Sequence, residues 1–322
     1  MATEYATIHI LRPGLSTTVQ DLGRHGFRRY GVSVSGAMDR WALTVGNRLL
    51  GNHDGAAGLE ITLQGPELLF DKRSWIAITG GDLSPSCRGQ ALPMWTVVEL
   101  PAGARVEFGA RRKGARAYLT VAGGIEGPRI LGSHSTHTRS RLGGMQGRSL
   151  KKWDQLAIGA PPNRIPPPAG RALSLSHRPD YSSTPTLRVL SGPQLDYFTK
   201  DSLATLVESG YRITSESDRM GYRLAGPILQ FKGQADIVSD AVVCGAIQVP
   251  PDGQPILLMA DCQTTGGYAK PAVVISVDLP KAGQLLPGDS VGFRWVSAEE
   301  ASSLLRTTRA ELDRLLPPAS PE

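Results

Sequence analysis

The residue types best suited to chemistry cluster between Cys244 and Pro271, in CGAIQVPPDGQPILLMADCQTTGGYAKP. Asp261 offers a carboxylate that could act as a general base or accept a substrate N–H. Lys270 offers a cation for a carboxylate or phosphate. Between them Gln263, Thr264, Thr265 and Tyr268 supply hydrogen-bonding groups, and Gly266-Gly267 would let backbone approach a ligand. A strand that delivers so dense a polar set into a glycine loop is where chemistry is expected. The same residues also suit a polar strand end, a turn carboxylate bonded to backbone N–H groups and a solvated lysine. Residue types alone leave both readings open.

A second set precedes residue 40. Gln20, Asp21 and Arg24 are followed by Ser35, Met38 and Asp39 at the start of an expected helix. Helix N-termini attract anions, and Ser35-Gly36 would leave the first amides accessible. Asp39 would answer the helix dipole. In the C-terminal half, Arg219 is a candidate substrate contact or the partner of Asp218. Other signals are weaker. His134 and His137 lack a third ligand nearby, so no metal site is expected. Ser133 beside His134 is not a triad, because adjacent side chains rarely meet in the required geometry. Cys262 has no nearby histidine and reads as a buried thiol. Gly143–Arg148 lacks the Gly-Lys-Ser/Thr ending of a phosphate loop and reads as a tight glycine turn.

These groups need a scaffold, and the pattern is one of short strands. Expected strands are 7–11, 59–63, 75–79, 97–100, 105–108, 117–121 and 156–158, then 186–190, 211–214, 236–238, 246–249, 256–260, 272–277 and 291–296. Pro-Pro-Asp-Gly at 250–253 joins two of them as a hairpin. The second hairpin strand would deliver Asp261 and its neighbours into a glycine loop. Three helices are expected: one capped by Ser35 and ended by Gly51, one over 194–207, and one opening with Ser297 and Glu300 as a capping box. A proline-rich tail follows the last and reads as disordered.

The halves echo each other. Arg24-His25-Gly26-Phe27-Arg28 resembles Arg219-Met220-Gly221-Tyr222-Arg223, Gly65-Pro66 is matched by Gly226-Pro227, and Asp154 and Asp289 each lead a closing strand. A duplicated β-module follows, in which the first helix and the 244–271 hairpin are the unmatched insertions. The expected organisation is an N-terminal β half over 1–160, a linker over 161–185, a C-terminal β half over 186–296, and a helix and tail over 297–322.

Composition bounds the rest. The chain has 322 residues, 40% of them hydrophobic, and a net charge of +6. The basic residues are dispersed and aromatics make up 6%, which argues against nucleic-acid binding. No apolar run reaches membrane-span length and the first residues do not read as a signal peptide, so no membrane association is expected. Three widely spaced cysteines suit reduced thiols and a cytoplasmic location.

Long runs resemble one family. They are PGLSTTVQDLGRHGF (13–27), GVSVSGAMDRWAL (31–43), LEITLQGPELLF (59–70), VAGGIEGPRILGSHST (121–136), LGGMQGRSL (142–150), SGPQLDYF (191–198), SDRMGYRLAG (217–226) and GAIQVPPDGQPILLMADCQTTGGYAKPAVV (245–274). The sequence is similar to the biotin-dependent carboxyltransferase, allophanate hydrolase subunit 2 or KipA-like, family. The resemblance implies two related cyclophilin-like β-barrel halves with a few inserted helices. It also implies a role as the C subunit of an ATP-dependent 5-oxoprolinase, a hydrolase turning 5-oxo-L-proline into L-glutamate. The partners would be its KipI-like B and LamB/YcsF-like A subunits, with the isolated chain inactive. Alternatives within the resemblance are a carboxyltransferase acting on urea or a related amide, and a non-catalytic regulator of a kinase inhibitor. ATP would be shared with or bound by partner subunits, because no Walker-type loop is present. Biotin would act only in trans, since no Ala-Met-Lys-Met attachment sequence occurs and Gly36-Ala-Met-Asp39 has Asp at the acceptor position. A homo-oligomer is also possible for this family. The chain departs from the family pattern at His134 and Cys262, where Arg is expected, at Ala269 for Pro, and at Asp240 for Glu.

Overall fold

The computed structural model describes residues 6–161 and 167–319. The chain is mainly β and divides into two compact units. Unit 1 holds the chain up to Arg24, then Ser35–Asp180 and the residues from Leu312 onward; unit 2 holds His25–Val34 and Tyr181–Glu311. Each unit therefore borrows a segment from the other end of the sequence.

In unit 1 the elements are β1 (Ala6–Arg12), β2 (Ser16–Gln20), α1 (Arg40–Leu49), β3 (Gly58–Thr62), β4 (Glu67–Phe70), β5 (Ser74–Asp82), β6 (Pro85–Cys87), β7 (Gln90–Ala91), β8 (Val97–Leu100), β9 (Ala104–Phe108), β10 (Lys113–Val121) and β11 (Gln155–Ile158). They form a six-stranded sheet, β11-β1-β4-β9-β6-β7, and a five-stranded sheet, β2-β3-β10-β5-β8. The core draws alternate residues from both: Ile8, Ile10, Leu68, Phe70 and Val106 from the first, Leu59, Ile61, Ile76, Ile78 and Leu119 from the second. That two-residue alternation is the strand period. β5 and β10 are buried almost throughout, because α1 also packs on them. Thr79 of β5 donates to the Ala42 carbonyl of α1 at 2.7 Å.

The cap of α1 corrects the sequence reading. Asp39, not Ser35, is the N-cap, and its carboxylate accepts from Ala42 N–H at 2.8 Å. The preceding amides are also engaged: Met38 N–H donates to Glu60 and Asp39 N–H to the Tyr118 hydroxyl, both at 2.8 Å. Tyr118 in turn donates to Glu60 at 2.7 Å. Burial first, then the Glu60 carboxylate, pushes the Tyr118 phenol well above its ordinary value. The amides of residues 37–39, with Ala37 N–H on the Asp21 carbonyl, are therefore engaged and do not form the accessible anion cradle expected at Ser35-Gly36.

Unit 2 contains β12 (Thr186–Ser191), α2 (Lys200–Glu208), β13 (Tyr211–Ile213), β14 (Gly221–Ala225), β15 (Asp236–Ala241), β16 (Ala246–Val249), β17 (Ile256–Leu258), β18 (Thr265–Val274), α3 (Leu279–Ala282) and β19 (Ser290–Trp295), and α4 (Ala298–Leu315) follows. The strand order is β12-β19-β13-β14-β17-β16-β18-β15, with β12 also paired to β18. That extra pairing closes seven strands into a ring and leaves β15 attached outside it. The 244–271 hairpin is thus not an insertion: β16, β17 and β18 are three staves of the barrel.

Other expectations shift in the same way. The expected helix over 194–207 splits, because Thr199 caps a fresh start at Lys200 by accepting from Ser202 N–H. The Ser297–Glu300 cap forms as expected, with Glu300 N–H donating to Ser297 at 3.1 Å. Leu316, just beyond α4, is buried, so the proline-rich tail is anchored at its start, and its end past 319 lies outside the described residues. Part of the expected linker, 162–166, also lies outside them. Residues 167–180 belong to unit 1, where Gly170 and Leu173 N–H groups bond Val97 and Trp95 carbonyls at 2.9 and 3.0 Å. The repeated sequence marks do not correspond element by element. Asp154 and Asp289 do precede β11 and β19, but 24–28 holds a turn and the start of a short 3-10 helix, whereas its match 219–223 runs into β14 at Gly221.

Candidate functional site

The early candidates converge on one segment of unit 1, Ser133–Thr136. Asp21 accepts from Ser133 and Gly23 N–H at 2.7 Å and from His134 N–H at 2.6 Å, and from the Ser135 hydroxyl. Arg24 donates to the Ser135 carbonyl. Gln20 and Ser35 both donate to the Thr136 carbonyl, at 3.0 and 3.1 Å. Sequence reasoning chose Gln20, Asp21, Arg24 and Ser35 as substrate contacts; in the structure each makes a hydrogen bond to this loop. Missed were their partners Ser133, Ser135 and Thr136, small polar residues whose value lies in their position alone. The glycine turn read at 143–148 backs this loop. Gly143 has φ +67°, and a Cβ there would come within 2.1 Å of the Ser135 carbonyl, so only glycine fits.

Burial alone would push the Asp21 carboxyl up. The donors from Ser135, Ser133, Gly23 and His134 outweigh that and hold it below its usual value. A carboxylate depressed in the folded state adds stability that is present above its unfolded pKa, about 4, and lost as pH falls through the folded value. Asp21→Asn is therefore expected to lower unit 1 stability at pH 7 and to flatten its acid-unfolding profile below about pH 4. Urea midpoints measured from pH 2 to 7 read this, and parallel profiles for both proteins would refute it.

The hairpin set lies in unit 2. The 250–253 turn forms as expected, with Gly253 N–H on the Pro250 carbonyl at 2.9 Å and Gly253 at φ +75°. β17 ends at Leu258, and Met259–Thr264 form the following turn. Its anchor is Asp261, which takes a bidentate pair from Arg219, Nε at 2.9 Å and Nη2 at 3.0 Å. Asp261 N–H also donates to the Arg219 carbonyl at 2.9 Å. Asp261 is 4% exposed. This carboxylate is clamped to a guanidinium, an arrangement that fixes the turn. We assign Asp261 and Arg219 to positioning the turn. Asp218, the other expected partner of Arg219, caps the next turn by accepting from Met220 N–H at 2.7 Å.

The glycine loop expected at 266–267 is strand. β18 starts at Thr265, and neither glycine has positive φ. Gly266 matters for space: a Cβ there would lie 2.5 Å from the Gln248 amide nitrogen. Gln248 is buried, accepts from Gln263 at 3.3 Å, and its Nε2 has no hydrogen-bond partner. Gly266 and Tyr268 share a face of β18 by strand alternation, and Lys270 lies where the β16–β18 register shifts. Lys270 is no surface lysine, being 2% exposed with its ammonium 2.9 Å from Asp240. The Lys270 ammonium, then Ala241 N–H and Gln194, hold the Asp240 carboxyl below its usual value. Gln194 also accepts from Lys270 N–H at 3.2 Å. Thr265 and Tyr268 are exposed and pair with Ala241 and Asp236 across β15. Thr264 contributes its carbonyl, which accepts from Val242 N–H at 3.1 Å and from Arg28 at 3.3 Å.

Arg28 and Ser33 were not anticipated. The His25–Val34 segment belongs to unit 2, where Ser33 donates to the Cys262 carbonyl at 2.8 Å and Arg28 also donates to the Val242 carbonyl. A partner more than two hundred residues away leaves no local signal. Burial pushes the Cys262 thiol up against the opposing charge of Arg28, so it stays protonated, as a packed side chain of the Val242, Ala246 and Leu258 cluster. Among the described residues no group of three His, Cys, Asp or Glu could hold a metal ion, and no helix is long and apolar enough to cross a membrane.

Comparison with known proteins places this arrangement. Residues 30–295 match the family model described as carboxyltransferase domain, subdomain A and B. The chain is 39% identical over 297 residues to the C subunit of 5-oxoprolinase from Escherichia coli (strain K12), covering 91% of this chain and 93% of that protein. It is 36% identical to the Haemophilus influenzae protein of the same name, covering 96% and 97%. The crystal structure of the K. lactis urea amidolyase matches with a TM-score of 0.91 and 30% identity, over 100% of this chain and 20% of that one. The chain belongs to the carboxyltransferase domain, subdomain A and B, family.

Proposed function

We propose that this chain acts as the C subunit of an ATP-dependent 5-oxoprolinase, working with KipI-like B and LamB/YcsF-like A subunits to open the cyclic amide 5-oxo-L-proline. The observation that carries this reading is its similarity, running through both units, to proteins named as the C subunit of 5-oxoprolinase. The chemistry asks for a group that stabilises negative charge as it builds on a resonance-stabilised amide. Lys270 is suited to that: its ammonium is buried on the β18 face and held by Asp240, with the unpartnered Gln248 amide on the same hairpin. Gln248 and Gln263 would donate to the carbonyl, Tyr268 would border the ligand, and the Asp261–Arg219 pair would keep the preceding turn fixed. The two stretches considered for a phosphate offer no cradle: 143–148 is a tight turn, and the amides of residues 37–39 are bonded within unit 1. We place ATP on the partner subunits, and no step on this chain is routed through it.

The test is reconstitution. The three proteins together are expected to release L-glutamate from 5-oxo-L-proline only with ATP, and this chain alone to release none. A well-folded complex without activity would sink the reading. The likeness to urea amidolyase favours a second one, carboxyl transfer to urea or a related amide from a biotin carried on another protein. Carboxylation by this chain supplied with a biotinylated carrier would select it.

A further inference from the structure

Unit 1 contains a polar cavity of about 90 Å³ that the hairpin chemistry does not use. His53, Gly55, Gly124, Glu126, Arg129 and His134 line it, together with Asp21. Its walls are pinned by backbone bonds: Ile125 N–H to the Ala57 carbonyl and Glu126 N–H to the Ala157 carbonyl, both at 2.9 Å, and His134 N–H to Asp21 at 2.6 Å. The space is therefore built rather than left between mobile loops.

Arg129 and Glu126 give the cavity its character. Arg129 Nε donates to His134 Nε2 at 3.1 Å, which uses one of its five N–H groups. Burial, then the Arg129 charge, lowers the pKa of His134, so its imidazole accepts this bond in the neutral form and orients the guanidinium without neutralising it. The lining carboxylates differ in kind. Asp21 is occupied by the donors of Gly23, Ser133, His134 and Ser135. Glu126 is exposed and supplies an acceptor. The cavity opens to solvent, so a ligand can seat its carboxylate there and extend outward.

We propose that this cavity binds a small carboxylic acid that also carries an N–H donor, its carboxylate gripped by Arg129 and its N–H accepted by Glu126. The guanidinium fork matches a carboxylate in a bidentate manner. The cavity chemistry stands by itself, whereas the choice of first probe, 5-oxo-L-proline, rests on the function proposed above.

Binding to the full chain alone tests this without requiring turnover. Titration with 5-oxo-L-proline, and separately with L-glutamate, is followed by calorimetry and by the ring-proton shifts of His53 and His134. At least one of the two is expected to bind saturably and move those signals. Arg129→Gln is expected to weaken that binding at least tenfold, as loss of a charged hydrogen-bond pair does. Gly55→Leu, which adds a side chain at the cavity lining, is expected to weaken it as well. 2-Pyrrolidinone, the lactam without a carboxylate, should bind wild type and Arg129→Gln equally weakly. Circular dichroism and urea midpoints confirm that both variants fold. Failure of both acids to bind, or equal affinity in wild type and Arg129→Gln, overturns the proposal. If the reconstituted complex is active while either of those results holds, the cavity inference fails and the 5-oxoprolinase reading stands. If binding behaves as expected and the complex is inactive, the reverse holds.

Discussion

Lys270→Met is expected to lower kcat of the reconstituted three-protein reaction by about 10²–10³-fold, the usual cost of removing one preorganised group that stabilises developing charge. The expected change in stability is small. The methionine follows the lysine stem through the buried path, and the partner left behind, Asp240, is half exposed and can be solvated. Lys270→Arg should not rescue, because a planar fork cannot replace a compact ammonium in a site 2% exposed. Asp240→Asn tests the other side of the pair: it leaves the ammonium buried without its counter-charge and is expected to lower kcat less than Lys270→Met does. The measurement is kcat and KM for glutamate release alongside urea midpoints. A Lys270→Met complex with wild-type kcat would remove this lysine from the chemistry and leave it as a packed ion pair.

The second large effect concerns stability. Arg219→Met strands the Asp261 carboxylate, 4% exposed, without its bidentate partner. Breaking a buried pair from one side costs about 3–5 kcal/mol, because the remaining charge is uncompensated. Removing both charges together costs far less, so Arg219→Met with Asp261→Leu should recover most of the loss. The double-mutant cycle separates this from simple loss of packing. The relevant signal is the urea transition of unit 2, since two units need not unfold together. A loss below about 1 kcal/mol for Arg219→Met would show that the pair behaves as a solvated surface contact. The same variant should disturb activity through the turn at 259–264, which this pair fixes and which leads directly into the strand that carries Lys270.

These predictions treat Asp261 and Lys270 differently, though residue type had marked both for catalysis. A carboxylate and an ammonium in a polar stretch carry no mark of which is already paired. Arg219 lies 42 residues before Asp261, and Asp240 lies 30 before Lys270. Only strand pairing through β14, β17 and β15 brings each to its partner. The same holds for Gln20, Asp21, Arg24 and Ser35. Sequence singled out polar residues beside a helix start, but their donors and acceptors sit more than a hundred residues away on 133–136.

What the sequence determined by itself was local. Alternation set most of the strands, because a pleated strand with one buried face needs apolar residues at every second position. Pro-Pro-Asp-Gly set the 250–253 turn, Ser297 and Glu300 set the start of α4, and Gly143–Gly147 set a tight turn, each through the conformations those residues tolerate. Unbroken similarity set the family. The tertiary structure decided the rest, and the reason is range. Ring closure of unit 2 depends on β12 meeting β18, which made the hairpin a barrel wall rather than an insertion. Exchange of His25–Val34 put Arg28 and Ser33 beside Cys262. The Arg129 cavity arises where loops from three stretches of chain meet. Each depends on the pairing of distant backbone groups, which no window of sequence contains.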